Sequence, residues 1–207
     1  MEKTDKRTDI LNAAEILFSE LGYEGTSTRQ IAKDSGASLA MINYYFGSKE
    51  GVFLEIMESR ILGFKTHLDL INQENIPVKE KLLKVIEHYT TRVFSNINFH
   101  KMMHRELSLS QRPGVFVKIK EAMSQNLFII ESIINNGINE GSFRKVDVRL
   151  CIASIMGSIS MIVSSPNKVV SDLSFDINID AQRDNLKERT INHLQNLMLT
   201  YLTAPEI

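Results

Sequence analysis

Apolar residues recur every three or four positions through nearly all of the chain. Ile10, Ala13, Ala14, Leu17, Phe18 and Leu21 line one side of a first helix, which Gly22 is placed to stop. "GYEGTST" then reads as a loop. Thr28 is positioned to cap a short helix, "RQIAKDS", closed by Gly36, where a turn wants positive φ. Ser38 can cap a second short helix, "LAMINYY". After Gly47, Ser48 can cap a longer helix with Glu50 in its first turn. Val52, Phe53, Ile56 and Met57 begin its apolar face, and the spacing carries it to about Asn72.

The rest keeps the helical period. Pro77 suits a helix start, with Leu82, Leu83, Ile86, Tyr89 and Val93 behind it. "FHKMMHRELSL" forms a shorter helix closed before "QRPG". A long helix from about Pro113 carries Val115, Ile119, Leu127, Ile130, Ile133, Ile134 and Ile138, and Gly141 supplies the turn after it. A further helix runs from Val148 to Ser164 between Asp147 and Pro166. Asn167 to about Asp180 is expected as a loop, and the last helix runs from Ala181 to Leu202. The sum is an all-α fold of about nine helices, with no strand hairpin, internal repeat or low-complexity segment.

Composition narrows the class. At 207 residues and 43% hydrophobic, the chain can bury a real core. The net charge of -1 gives no global pull toward nucleic acid or anionic lipid. A lone cysteine, Cys151, excludes an intramolecular disulfide and suits a reducing compartment, where a small buried side chain is its simplest role. The charged N-terminus does not read as a signal peptide. No apolar run reaches the ~20 residues of a membrane span, so a cytoplasmic protein is expected. No Gly-rich phosphate loop, nucleophile motif or metal cluster is present, which argues against an enzyme and against a bound cofactor or metal. His100 and His104 stand four apart on one helical face, a pair without further ligands at matching spacing.

Two short helices across a glycine turn, flanked by longer amphipathic ones, form a helix-turn-helix pattern. Its residues sharpen it. "TSTRQIAKDSGASLAMINYYFGSKEGVF", residues 26 to 53, closely resembles the N-terminal DNA-binding domain of TetR-family regulators. Thr28, Ile31-Ala32, Gly36, Ser38, the aromatic pair ending in Phe46 and Ser48-Lys49-Glu50 carry the resemblance, and "ILNAAEILFSELGYEGTS" fits the family's first helix and loop. The resemblance implies a three-helix DNA-binding domain at residues 1–50 and a larger helical ligand-binding and dimerisation domain at 51–207.

Expected contacts to a double-stranded operator follow residue by residue. Thr28 and Arg29 open a helix whose free N–H groups favour a phosphate; Arg29 can instead reach a guanine edge, or both simply cap and solvate. Leu39, Ala40 and Met41 head the recognition helix, and either touch thymine methyls or pack. Asn43 can pair with adenine or bond a phosphate, and stands where many relatives have tyrosine. Tyr44 and Tyr45 can hydrogen-bond phosphates or pack in part. Lys49 is a phosphate contact by resemblance. Lys3, Lys6 and Arg7 could add a basic arm. Residues 1–50 hold six Lys/Arg against eight Asp/Glu, whereas Thr26 to Lys49 hold three against one, so basic groups must be segregated on one face.

Family resemblance further implies a homodimer reading a palindrome, through the Val148–Ser164 helix and the Ala181-to-Leu202 helix, whose small residues (Ala153, Ser154, Gly157, Ser158, Ser160) permit close approach. It implies an effector of unknown identity. Phe99, Met103, Phe116, Met123, Phe128 and Met156 offer an apolar pocket lining or plain core, and Arg105 with Glu106 could orient a polar group. The leading expectation is a repressor released by a small molecule. The alternatives are a regulator without an effector and a helical protein-interaction module.

Overall fold

The computed structural model describes residues 5–109 and 113–203. Among these, nine α-helices and one short 3-10 turn account for all the regular structure. They are α1 (Lys6–Gly25), α2 (Thr28–Ser35), α3 (Leu39–Phe46), α4 (Lys49–Gln73), α5 (Val78–Ser95), α6 (Ile97–Leu109), α7 (Pro113–Asn139), α8 (Val148–Ser164) and α9 (Asp180–Thr203). None is long and apolar enough to cross a membrane.

Side-chain caps set several of the starts. Asp5 accepts from the Arg7 N–H, Ser38 from the Met41 N–H, Ser48 from the Gly51 N–H and Asp147 from the Leu150 N–H. One cap differs from expectation. Ser27, not Thr28, caps α2: its hydroxyl accepts from the Gln30 N–H while the Gln30 side chain accepts from the Ser27 N–H. This reciprocal pair satisfies two otherwise orphaned groups and moves Thr28 into the helix. Gly22 does break α1, with φ 75° and ψ 171°, but helical structure resumes and reaches Gly25. The basic arm is also not seen in that form. Lys6 and Arg7 belong to α1, where Lys6 pairs with Asp9 and Arg7 with Glu55. Lys3 lies outside the described residues, as does the "QR" of the expected stop after α6.

The chain divides into two compact units. One comprises Met1–Gly63 with Asn98–Met123, the other Phe64–Ile97 with Ser124–Ile207. In the first, Ile10, Phe18, Ile31, Ile42, Phe53 and Met57 are packed with Phe99, Met102, Val115 and Ile119. Phe18, Tyr23 and Phe53 form its aromatic centre, with Phe18 stacked on Tyr23 and Phe53 edge-on to both. In the second, Leu82, Ile86 and Tyr89 of α5 meet Ile130, Ile133 and Ile134 of α7, Ile152, Ile155 and Ile159 of α8, and Leu194 and Met198 of α9. A helix stripe that buries apolar area at about 25 cal/mol per Å² supplies the stabilisation that short isolated helices lack.

Candidate DNA interface

The interface is built from α2, its turn and α3. Ile31, Ala32 and Ile42 point inward and are buried. Gly36 adopts φ 61° and ψ 27°, a left-handed conformation that closes α2. Its N–H reaches the carbonyls of Ala32 and Lys33, and the Ala37 N–H bonds the Ala32 carbonyl at 3.0 Å. The buried Ser35 hydroxyl donates within α2, 2.7 Å from the Ile31 carbonyl. The turn is therefore satisfied by its own chain, which leaves the opposite face of α3 free to be read.

The residues expected to meet DNA stand on α3 and at the start of α2. Arg29, Leu39, Ala40, Met41, Asn43, Tyr44 and Tyr45 are exposed, and Thr28 is half-buried. Tyr44 is 83% exposed, the most open large apolar side chain of the helix-turn-helix. Tyr45 meets it edge-on at 5.2 Å and tilts against Phe46 at 6.0 Å. The three aromatics therefore form a graded row from core to solvent, with both hydroxyl-bearing rings at the outer end. Lys33 adds an exposed cation on α2.

Lys49 has a role the sequence did not show. Its ammonium donates to the Tyr23 carbonyl at 2.9 Å and the Thr26 carbonyl at 2.8 Å, and lies 4.2 Å from the Tyr23 ring centroid. It clamps the start of α4 to the last turn of α1 and to the residue that follows it. An ammonium has three N–H groups, so one is left for another acceptor. Arg7 likewise sits over the Phe46 ring at 5.5 Å.

The expected pocket residues do not gather in one place. Phe99, Met103 and Met123 pack in the core of the first unit; Phe116 is half-buried on α7. Arg105 is exposed beside Gly22, and Glu106 is half-buried. Phe128 is 71% exposed, and Met156 packs on the core of the second unit. An apolar cavity of about 20 Å³ does exist inside the second unit, lined by Val85, Ile86, Tyr89, Ile130, Ile152, Ile155 and Met156. Of the eight residues singled out from sequence, Met156 alone lines it. The cavity's other lining residues read in the sequence as ordinary helix core, because a cavity wall and a core have the same side-chain chemistry. Burial pushes the Tyr89 phenol up to about 12, so that it stays protonated. His100 and His104 lie 4.4 Å apart between ring centroids; His100 is buried, and no metal-binding group of three ligands occurs among the described residues.

An exposed recognition helix packed through Ile42 against the buried Ile31 and Ala32 of α2, with hydroxyls and cations at its edges, defines a sequence-specific DNA-binding transcriptional regulator. Residues 10–56 match the model of the bacterial regulatory proteins of the tetR family, and residues 49–190 match the YsiA-like C-terminal region. The chain belongs to the TetR family. It is similar to the fatty acid metabolism regulator protein of Bacillus subtilis (strain 168), 28% identical over 177 residues, covering 85% of this chain and 90% of that one. Among solved structures, Bacillus subtilis FadR in complex with stearoyl-CoA superposes with a TM-score of 0.75 at 26% identity, covering 94% of this chain and 98% of that one. Bacillus halodurans FadR shares the fold, with a TM-score of 0.75 at 23% identity, covering 96% and 97%.

Proposed function

We propose that the chain is a homodimeric repressor that leaves a palindromic operator when a ligand with a long apolar chain, of the acyl-CoA class, enters its second unit. The observation that carries this reading is the cavity between α5, α7 and α8. Its wall is apolar, it falls within the segment matched by the C-terminal family model, and the similar FadR holds stearoyl-CoA. At about 20 Å³ it has room for roughly one water, against about 300–1,000 Å³ for typical ligand sites. An acyl chain must part these helices to enter. It therefore binds an opened state far better than the closed one, the differential affinity that a population shift requires.

The DNA contacts are Thr28, Arg29, Leu39, Ala40, Met41, Asn43, Tyr44 and Tyr45, with the remaining N–H of Lys49. Dimerisation uses α8 and α9. On α8, Leu150, Ala153, Ser154, Gly157 and Met161 share an exposed face, and the Ser154 hydroxyl is turned back onto the Leu150 carbonyl at 2.8 Å. On α9, Leu197 and Tyr201 are exposed beside the buried Leu194, Met198 and Leu202. Two such pairs make a four-helix seam.

Retention of an operator duplex is the test, titrated with acyl-CoAs of increasing chain length and with free CoA. Long-chain thioesters should release the duplex and CoA alone should not. Ile152→Trp, which fills the cavity, should keep binding DNA and resist release. Release without chain-length dependence, or none at all, would count for a regulator without this effector. Failure to retain any duplex would favour a protein-interaction module.

A further inference from the structure

From the surface of α3 we infer that the inner positions of each operator half-site are A·T pairs, recognised through thymine methyl groups and one adenine. This rests on the reading of α2 and α3 as the DNA-contacting surface. Leu39 to Phe46 contain no Arg, Lys, Asp, Glu or Gln. Guanine is read in the major groove mainly by Arg or Lys bonded to O6 and N7, and cytosine by a carboxylate accepting from N4. Neither group is available on the helix that enters the groove. What α3 exposes instead is Leu39, Ala40 and Met41, with Asn43 beside them. Apolar side chains distinguish only one feature of a base edge, the C5-methyl of thymine, and a carboxamide is complementary to N6 and N7 of adenine.

The neighbouring groups do not alter this assignment. Tyr44 and Tyr45 stand farther along the helix with their rings in contact, and phenol hydroxyls suit phosphate oxygens. The exposed cations, Arg29 and Lys33, are on α2, which in this motif crosses the backbone while α3 occupies the groove. They account for phosphates, or for a guanine at the outer edge of the half-site. Lys49 is held by two carbonyls and does not reach out as a free fork. The half-site is therefore methyl-rich at its centre.

The test is selection of duplexes from a random library by the full chain at fixed salt, followed by atom-level substitution in the recovered site. The selected half-sites should carry an A·T core. Replacing thymidine by deoxyuridine at core positions removes only the methyl and should weaken binding on the order of fourfold per contacted methyl. Replacing one adenine by 7-deaza-adenine should weaken the wild type by about fivefold or more and leave Asn43→Ala unaffected. Asn43 is exposed, so that variant folds, and its retained binding to the unmodified site at reduced affinity controls for this. A G·C core, or binding indifferent to deoxyuridine, would overturn the inference while leaving DNA binding intact. Failure to enrich any sequence would overturn both, and that outcome is distinct.

Discussion

Replacing Lys49 by methionine separates a structural clamp from a DNA contact. The wild-type ammonium makes two charge-assisted hydrogen bonds, at 2.9 and 2.8 Å, and lies 4.2 Å from the Tyr23 ring centroid. Bonds of this kind contribute about 1.5–3 kcal/mol each, and an exposed cation–π contact about 0.5–1 kcal/mol. The side chain is only half-buried, so water recovers part of what the carbonyls of Tyr23 and Thr26 lose, and methionine retains apolar contact with the ring. Discounting for both leaves a destabilisation of about 2 kcal/mol. In urea unfolding, with a slope of about 1–3 kcal/mol per M, the midpoint should fall by about 1 M at unchanged slope. The measurement is made without DNA, which is its force. An unchanged midpoint, together with a salt dependence of operator binding reduced by about one counterion, would show that Lys49 only meets a phosphate and would refute the clamp.

Two further expectations concern stability. Burial, and then the neighbouring His104, lower His100 from about 6.5 to about 4. The unfolded chain takes up this proton near 6.5 and the folded chain only near 4, so stability is full above pH 6.5 and falls as the pH drops between those values. At about 1.4 kcal/mol per pH unit the loss from this group is about 3 kcal/mol, and His100→Leu should make that part of the unfolding profile less steep; equal slopes in both proteins would argue against it. Gly137 is the second site. A Cβ there would lie 2.2 Å from the buried Phe143 ring, so Gly137→Ala forces the ring aside. Overpacking of about 1–3 kcal/mol outweighs the roughly 1 kcal/mol gained in helix propensity, and the melting temperature should fall. Gly137→Ala with Phe143→Leu should recover most of it; a rise in the single variant would contradict the packing account.

The helices were legible because period and punctuation agree. Val148 to Ser164 is bounded as its Asp147 cap and following proline indicate, and Gly36 ends α2 where a positive φ was wanted. Sequence alone does not separate the two possible α2 caps, because Ser27 and Thr28 are adjacent hydroxyls of similar capping strength. Gln30, three residues after Ser27, was the available signal for the reciprocal cap. The clamp at Lys49 was not legible, since its acceptors are backbone carbonyls 26 and 23 residues earlier. Phe128 has the chemistry of a pocket lining or of core, yet helical phase turns it outward while Ile129 and Ile130 face in. The candidate base-reading surface was visible in advance because exposure on an eight-residue helix follows from the inward positions of Ile42 and Phe46.

The packing of Phe99, Met102, Val115 and Ile119 into the same core as Ile10, Ile31 and Ile42 has a consequence for engineering. A chimera that grafts only the first fifty residues of a relative onto this body would bring a foreign underside against α6 and the start of α7. Operator preference is safer to exchange by replacing the outward residues of α3 alone. The readable surface is a veneer a few side chains deep, and the structural module beneath it is discontinuous in the gene.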